Sequence, residues 1–148
     1  MSSAICDETE FREILDQHRA LRGLLERIGA MLRQRTASID QVAELLGQLG
    51  DTLIKHFTLE EAGGYYGDAL LRAPQLLSRA NDLLAQHPKM ARKAQRLVEI
   101  APLGAAARSW RDETQMRFDA FVRELLDHER GEDCLIQEAY SRDVEASD

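Results

Sequence analysis

Apolar residues recur along this chain at alternating steps of three and four, the period of helices that bury one face. Four such stretches follow one another. The first predicted helix runs from about Asp7 to Arg35, with Phe11, Ile14, Leu15, His18, Leu21, Leu25, Ile28 and Leu32 on its stripe. Ser38 followed by Gln41 is a capping box that starts the second, whose stripe is Val42, Leu45, Leu49, Leu53, His56, Phe57 and Glu60. Gly63 and Gly64 suit its end, since glycine takes the left-handed conformation at little cost. Pro74 is expected to open the third helix, with Leu77, Ala80, Leu84, His87, Met90 or Ala91, Ala94 and Val98 on its stripe. Pro88 lies inside this run and should either kink the helix or begin a second segment. Pro102 and Gly104 mark the next break, and Ser109 with Asp112 can cap the fourth helix. Trp110, Thr114, Phe118, Phe121, Leu125, His128, Glu132, Leu135 and Ala139 carry the last stripe. The ends, about residues 1–7 and 143–148, are expected to fray.

Long helices with mostly short connections predict an all-α fold, an antiparallel up-down four-helix bundle, as one domain over residues 1–148. Composition agrees. Only 9 Gly and 3 Pro occur in 148 residues, too few for the many turns of an all-β chain. Neither a repeat nor a low-complexity tract is evident. No stretch approaches the roughly 20 apolar residues of a membrane span, and the first ten residues have no secretory pattern. The net charge of −7 argues against nucleic acid or an anionic membrane as partner. A protein partner leaves no signature. Cys6 and Cys134 form neither a disulfide framework nor a metal spacing, so a reducing, cytoplasmic setting is expected, with Cys134 a buried and inert thiol.

The four histidines, His18, His56, His87 and His128, fall one on each stripe. The plain reading is that histidines reach cores by chance. Two relationships argue for more. The midpoint of His18 and His56 falls in the Thr36–Ser38 turn, that of His56 and His87 in the Gly63–Pro74 connection, and that of His87 and His128 in the Pro102–Ser109 break. In antiparallel neighbours this puts all four imidazoles near one level. Moreover, Glu60 follows His56 by four residues and Glu132 follows His128 by four, so each pair shares a helix face. Carboxylates rarely sit on a buried stripe unpaired, whereas Glu61, Glu124, Glu129 and Asp133 read as solvated. Four imidazoles and two carboxylates exceed one four-coordinate zinc and suit two ions bridged by the carboxylates. Nitrogen and oxygen donors without thiolate favour iron or manganese, although zinc can occupy such a site. The ferritin-like alternative needs Glu three residues before His, and Leu15, Leu53, Leu84 and Leu125 stand there.

The ordered set His18, His56-x3-Glu60, His87, His128-x3-Glu132 resembles the hemerythrin-like (HHE cation-binding) family, from about Phe11 to Tyr140. The resemblance implies a non-haem di-iron centre with His18 and His56 on one iron, His87 and His128 on the other, and Glu60 and Glu132 bridging. It also implies dioxygen, or a related small oxidant, as the partner, with binding or sensing of oxygen, iron or redox state as the activity. Two positions depart from the oxygen-carrying members. Ala91 stands where those proteins have a further histidine, and Asp133, one beyond Glu132, occupies the position of their bridging aspartate. The first departure implies a more open second metal, suited to reaction with oxidants or to metal loss. A di-iron oxidase or peroxidase, with Tyr65, Tyr66, Trp110 or Tyr140 as electron carriers, and a bundle with a purely structural metal are the alternatives.

Overall fold

A computed structural model describes the backbone of residues 8–35, 37–62, 65–103 and 110–147. Five α-helices follow in order: α1 (Glu8–Gln34), α2 (Ile39–Ala62), α3 (Tyr65–Arg72), α4 (Leu77–Leu103) and α5 (Trp110–Ser147), with a 3-10 turn at Pro74–Leu76. The four long helices form a ring in which α1 packs on α2 and α5, and α4 packs on α2 and α5. Contacts along the α4–α5 seam run Arg79 with Glu138, His87 with His128 and Lys93 with Glu124. One number rises as the other falls, so the two helices are antiparallel. Arg22 with Glu129 and Arg35 with Asp112 show the same for α1 and α5. The up-down bundle is the expected one.

The capping box is made in both directions: the Ser38 N–H donates to Gln41 Oε1 at 2.9 Å, and the Gln41 N–H donates to Ser38 Oγ at 3.2 Å. At the other side of that turn Arg35 takes a φ of 56°, the left-handed cap that ends α1, and its guanidinium meets Asp112 at 2.8 Å. The expected caps at Gly63, Gly64 and Ser109, and the expected fraying of residues 1–7, lie outside the described residues. α5 continues to Ser147, past the fraying point expected near Asp143, in unbroken helix.

Three further expectations are corrected and one is narrowed. Residues 65–72, read as part of a connection, form α3, which packs mainly on α5. Pro88 begins no second segment. α4 runs through it because one missing N–H removes a single ladder bond, while Leu83, Met90, Ala94 and Leu97 are buried on either side of it. Leu15 and Leu77 are exposed rather than on the buried stripe, as is Cys134. Leu24 and Leu97 are buried as well, so the buried arcs of α1 and α4 turn slightly away from those two leucines.

The apolar interior is in two parts. One cluster, from Leu21 and Leu25 through Leu45, Leu49, Leu53, Leu97, Phe118 and Leu125, fills the end of the bundle that holds the α1–α2 turn. The other gathers Ile14, Tyr65, Tyr66, Ala69, Leu76, Ala80, Leu83, Leu135 and Ala139. Along α1, α4 and α5 the change from one cluster to the other falls at His18, His87 and the His128–Glu132 pair. A buried polar layer therefore separates two apolar ones. Among the described residues, no helix is long and apolar enough to cross a membrane.

Candidate metal centre

All six residues singled out in the sequence meet in that layer. His56, His87 and His128 are 1–2% exposed, His18 is 8% exposed, and Glu60 and Glu132 are at 0%. The Nε2 atoms of His18 and His56 approach to 3.1 Å, and those of His87 and His128 to 3.2 Å. Two imidazole lone pairs at that distance repel, so each pair either shares a hydrogen in an N–H···N bond or encloses a metal ion.

The outer ring nitrogens show which tautomer is present. His56 Nδ1 donates to Gln17 Oε1, His128 Nδ1 to Gln86 Oε1 and His87 Nδ1 to Glu61 Oε2, each at 2.9 Å. With Nδ1 donating outward, Nε2 is the nitrogen turned to the interior, where it offers a lone pair once free of any proton, the orientation of a metal-binding imidazole. Sequence reasoning missed all three holding residues. Their signal was a repeat: Gln17-His18 and Gln86-His87 begin two like units, and each glutamine holds the histidine of the neighbouring helix. Hairpin α1–α2 and hairpin α4–α5 thus repeat one pattern, Gln-His followed by His-x3-Glu, about an approximate two-fold axis.

Glu60 Oε2 lies 3.3 Å from His56 Nε2 and 3.9 Å from His18 Nε2, while its Oε1 lies 3.4 Å from His87 Nε2. Glu132 Oε2 lies 3.4 Å from His128 Nε2 and 3.6 Å from His87 Nε2. These are ion-pair distances without hydrogen-bond alignment: both oxygens of Glu60 and Oε1 of Glu132 have no hydrogen-bond partner although fully buried. Buried carboxylate oxygens left unpaired are costly. A cation between the imidazoles and carboxylates would satisfy them. The ligand atoms fall into two sets, His18, His56, Glu60 and Glu132, and Glu60, His87, His128 and Glu132, each within 4.8 Å of one another. Both carboxylates belong to both sets.

This chain matches the family model for the hemerythrin HHE cation-binding domain over residues 9–140. It belongs to that family. No curated protein and no solved structure matches it. As an HHE domain the chain is of a cation-binding kind, and the donor groups of its polar layer fit that chemistry.

Charge states follow from burial and from these contacts. Burial alone would lower the pKa of His18, but its contact with Glu60 and the negative charges of Glu129, Glu60 and Glu132 outweigh it and hold the value above 6.5. His87 is raised likewise: burial opposes, while Glu132, Glu61 and Glu60 prevail. Burial would push Glu132 up, yet contacts with His128, His87 and Tyr66 hold it well below the usual carboxylate range. Tyr66, carried on α3, donates its hydroxyl to Glu132 Oε2. Its phenol is held far above the ordinary value by burial and by the charge of Glu132.

Of the carboxylates read as solvated, Glu129 is not, and Glu61 does more than face solvent. Glu61 is exposed but holds His87. Glu129 is buried at 3%, its Oε2 without a hydrogen-bond partner and 3.9 Å from Arg22, and burial raises its pKa. Asp133 is exposed, so the residue of this pair that faces the interior is Glu132.

Proposed function

We propose that the polar layer of this HHE domain binds two transition-metal cations, His18 and His56 on one and His87 and His128 on the other, bridged by Glu60 and Glu132. The native metal is iron, and the centre binds or senses dioxygen, iron supply or a related small oxidant. The observation that carries this reading is the sharing of both carboxylates by both sets of ligand atoms, with three buried carboxylate oxygens otherwise unpaired. Nitrogen and oxygen donors without thiolate favour iron or manganese. Two irons would supply electron transfer and coordination positions for a small oxidant.

The chain's own residues prepare that chemistry. Gln17, Gln86 and Glu61 fix three imidazoles with their lone pairs inward. Phe57 stacks on His87, with ring centres 3.9 Å apart and planes 6° from parallel, and keeps water from that side. Ala91 offers no donor beside His87, which supports a reactive centre over a closed one. The exposed thiol of Cys134 supports a reducing, cytoplasmic setting.

Metal analysis of protein expressed with iron, joined to optical spectra before and after reduction and re-exposure to air, tests the reading. Two irons per chain, with an absorption that bleaches and returns, is the expected result. No bound metal, with melting unchanged by chelation, would overturn it. An oxidase or peroxidase is the second reading, favoured by the Tyr66 hydroxyl against Glu132, a phenol able to supply a proton and an electron. Sustained, substrate-dependent consumption of dioxygen or peroxide would distinguish it from sensing.

A further inference from the structure

The approximate two-fold axis that relates hairpin α1–α2 to hairpin α4–α5 breaks at the two positions that touch one imidazole. His87 is held from both sides on α2: Glu61 takes its Nδ1 hydrogen at 2.9 Å, and Phe57 stacks on its face. The axis carries His87 to His18, Glu61 to Asp133 and Phe57 to Glu129. Aspartate is one methylene shorter than glutamate, and among the described residues the Nδ1 of His18 has no hydrogen-bond partner. A cavity of about 140 Å³ opens there instead, lined by His18, Asp133, Ile14, Leu15, Tyr65 and Ile136. The position equivalent to Phe57 holds Glu129, a buried carboxylate whose charge acts on His18 and whose Oε2 is unpaired except for Arg22 at 3.9 Å. His18 is also the most exposed of the four imidazoles.

We propose that this corner, at the seam of α1 and α5, is the port through which a divalent transition-metal cation enters and leaves the centre. Asp133 receives the cation at the mouth, Glu129 takes it in transit, and His18, unpinned at Nδ1, swings to hand it inward and closes behind it. The other three imidazoles are pinned and stay in place. The inference rests on the two-metal reading above and adds to it a direction and a loose ligand. No covalent bond is made or broken apart from the N–H of any proton on His18 Nε2, which is released to water as the metal binds. The cation exchanges water for carboxylate and then imidazole.

Cobalt(II) binding to the metal-free protein, followed by its visible absorption after rapid mixing and by release to a chelator, tests the port. Asp133→Glu restores the missing anchor, and Glu129→Gln removes the charge in transit. Each should slow uptake about tenfold, the size of effect that outer contacts have at metal sites, with unchanged stoichiometry. Glu61→Asp, which copies the loose corner onto His87, should speed release of cobalt about tenfold. Asp127→Asn, in the groove of α4 and α5 beside His128, should change nothing. Asp133, Glu61 and Asp127 are exposed, so their variants fold as the parent does, and circular dichroism melts check Glu129→Gln. Wild-type rates in Asp133→Glu and Glu129→Gln, or slowing by Asp127→Asn instead, would overturn the port alone. Absence of cobalt binding by the unaltered protein would overturn the two-metal reading and the port with it.

Discussion

Tyr66 donates its hydroxyl to Oε2 of Glu132, from a short helix, α3, that lies outside the ring of four. The hold of α3 on α5 continues beyond this bond. Tyr140 donates to Asp68 Oδ2, Arg72 Nε meets the same oxygen at 3.3 Å, and the Arg72 guanidinium lies 4.3 Å from the centre of the Tyr140 ring. The Glu132 carboxylate is thus connected to the surface through one helix of eight residues.

Tyr66→Phe deletes the hydroxyl and leaves Glu132 Oε2 without its donor. Metal affinity should fall about tenfold, and the visible bands of the cobalt-loaded protein should shift. Thermal stability of the metal-free protein should drop by about 1 kcal/mol. Unchanged bands and affinity would show the bond to be packing only.

Gln17 and Gln86 hold different imidazoles, so on the two-metal reading their loss should separate the two binding steps. Gln17→Leu frees His56 and should weaken one of two binding steps about tenfold. Gln86→Leu frees His128 and should weaken the other. A calorimetric titration with cobalt resolves the steps, and equal weakening of both by either variant would contradict the assignment of imidazoles to metals.

The metal-free protein should be most stable between the ordinary carboxylate and imidazole values, about pH 4.5 to 6.5. His18 and His87 are raised in the folded state, so their contribution is complete below 6.5 and is lost as pH rises through their folded values. Glu132 is depressed, so its contribution is present above 4.5 and is lost as pH falls through its folded value. Glu129 is raised, so it draws stability down as pH climbs from 4.5 towards its folded value and tilts the profile downward on that side. Metal affinity should rise with pH across the region where the stability of the metal-free protein falls, because bound protons must leave Nε2. Chelated melting curves at several pH values check this, and a flat profile above 6.5 would refute it.

Phe57 is buried, stacks on His87 and meets His128 edge-on at 5.7 Å. Phe57→Ala should cost about 3–5 kcal/mol by denaturant unfolding. Phe57→Leu should recover most of that and still broaden the optical bands, since the aliphatic chain fills volume without fixing the plane of the imidazole.

The four long helices were legible because each buries a stripe of period 3.6, and Glu60 and Glu132 were legible because acids on such a stripe demand a reason. What escaped depends on contacts between helices. α3 is too short to show a period, and its stability comes from docking on α5. Glu129 is next to a stripe, where solvent is the ordinary expectation; it is buried where α5 meets α1. Glu61 is exposed as expected, yet reaches back to an imidazole on α4. The Gln-His pairs at 17–18 and 86–87 were visible, but each glutamine serves the histidine of the next helix, a relation that only the register reveals.

The level of each imidazole is fixed by its distance along a helix from the turn that joins it to its partner. Evolution by insertion and deletion therefore meets two very different responses in this chain. Added residues in the connection between α4 and α5 leave every donor where it was. One residue added within α1 between His18 and the turn rotates that imidazole by about 100° and lifts it about 1.5 Å, which takes it out of the layer altogether. Variation in length should therefore collect in the connections, and the spacing from turn to histidine should be the quantity this architecture cannot change.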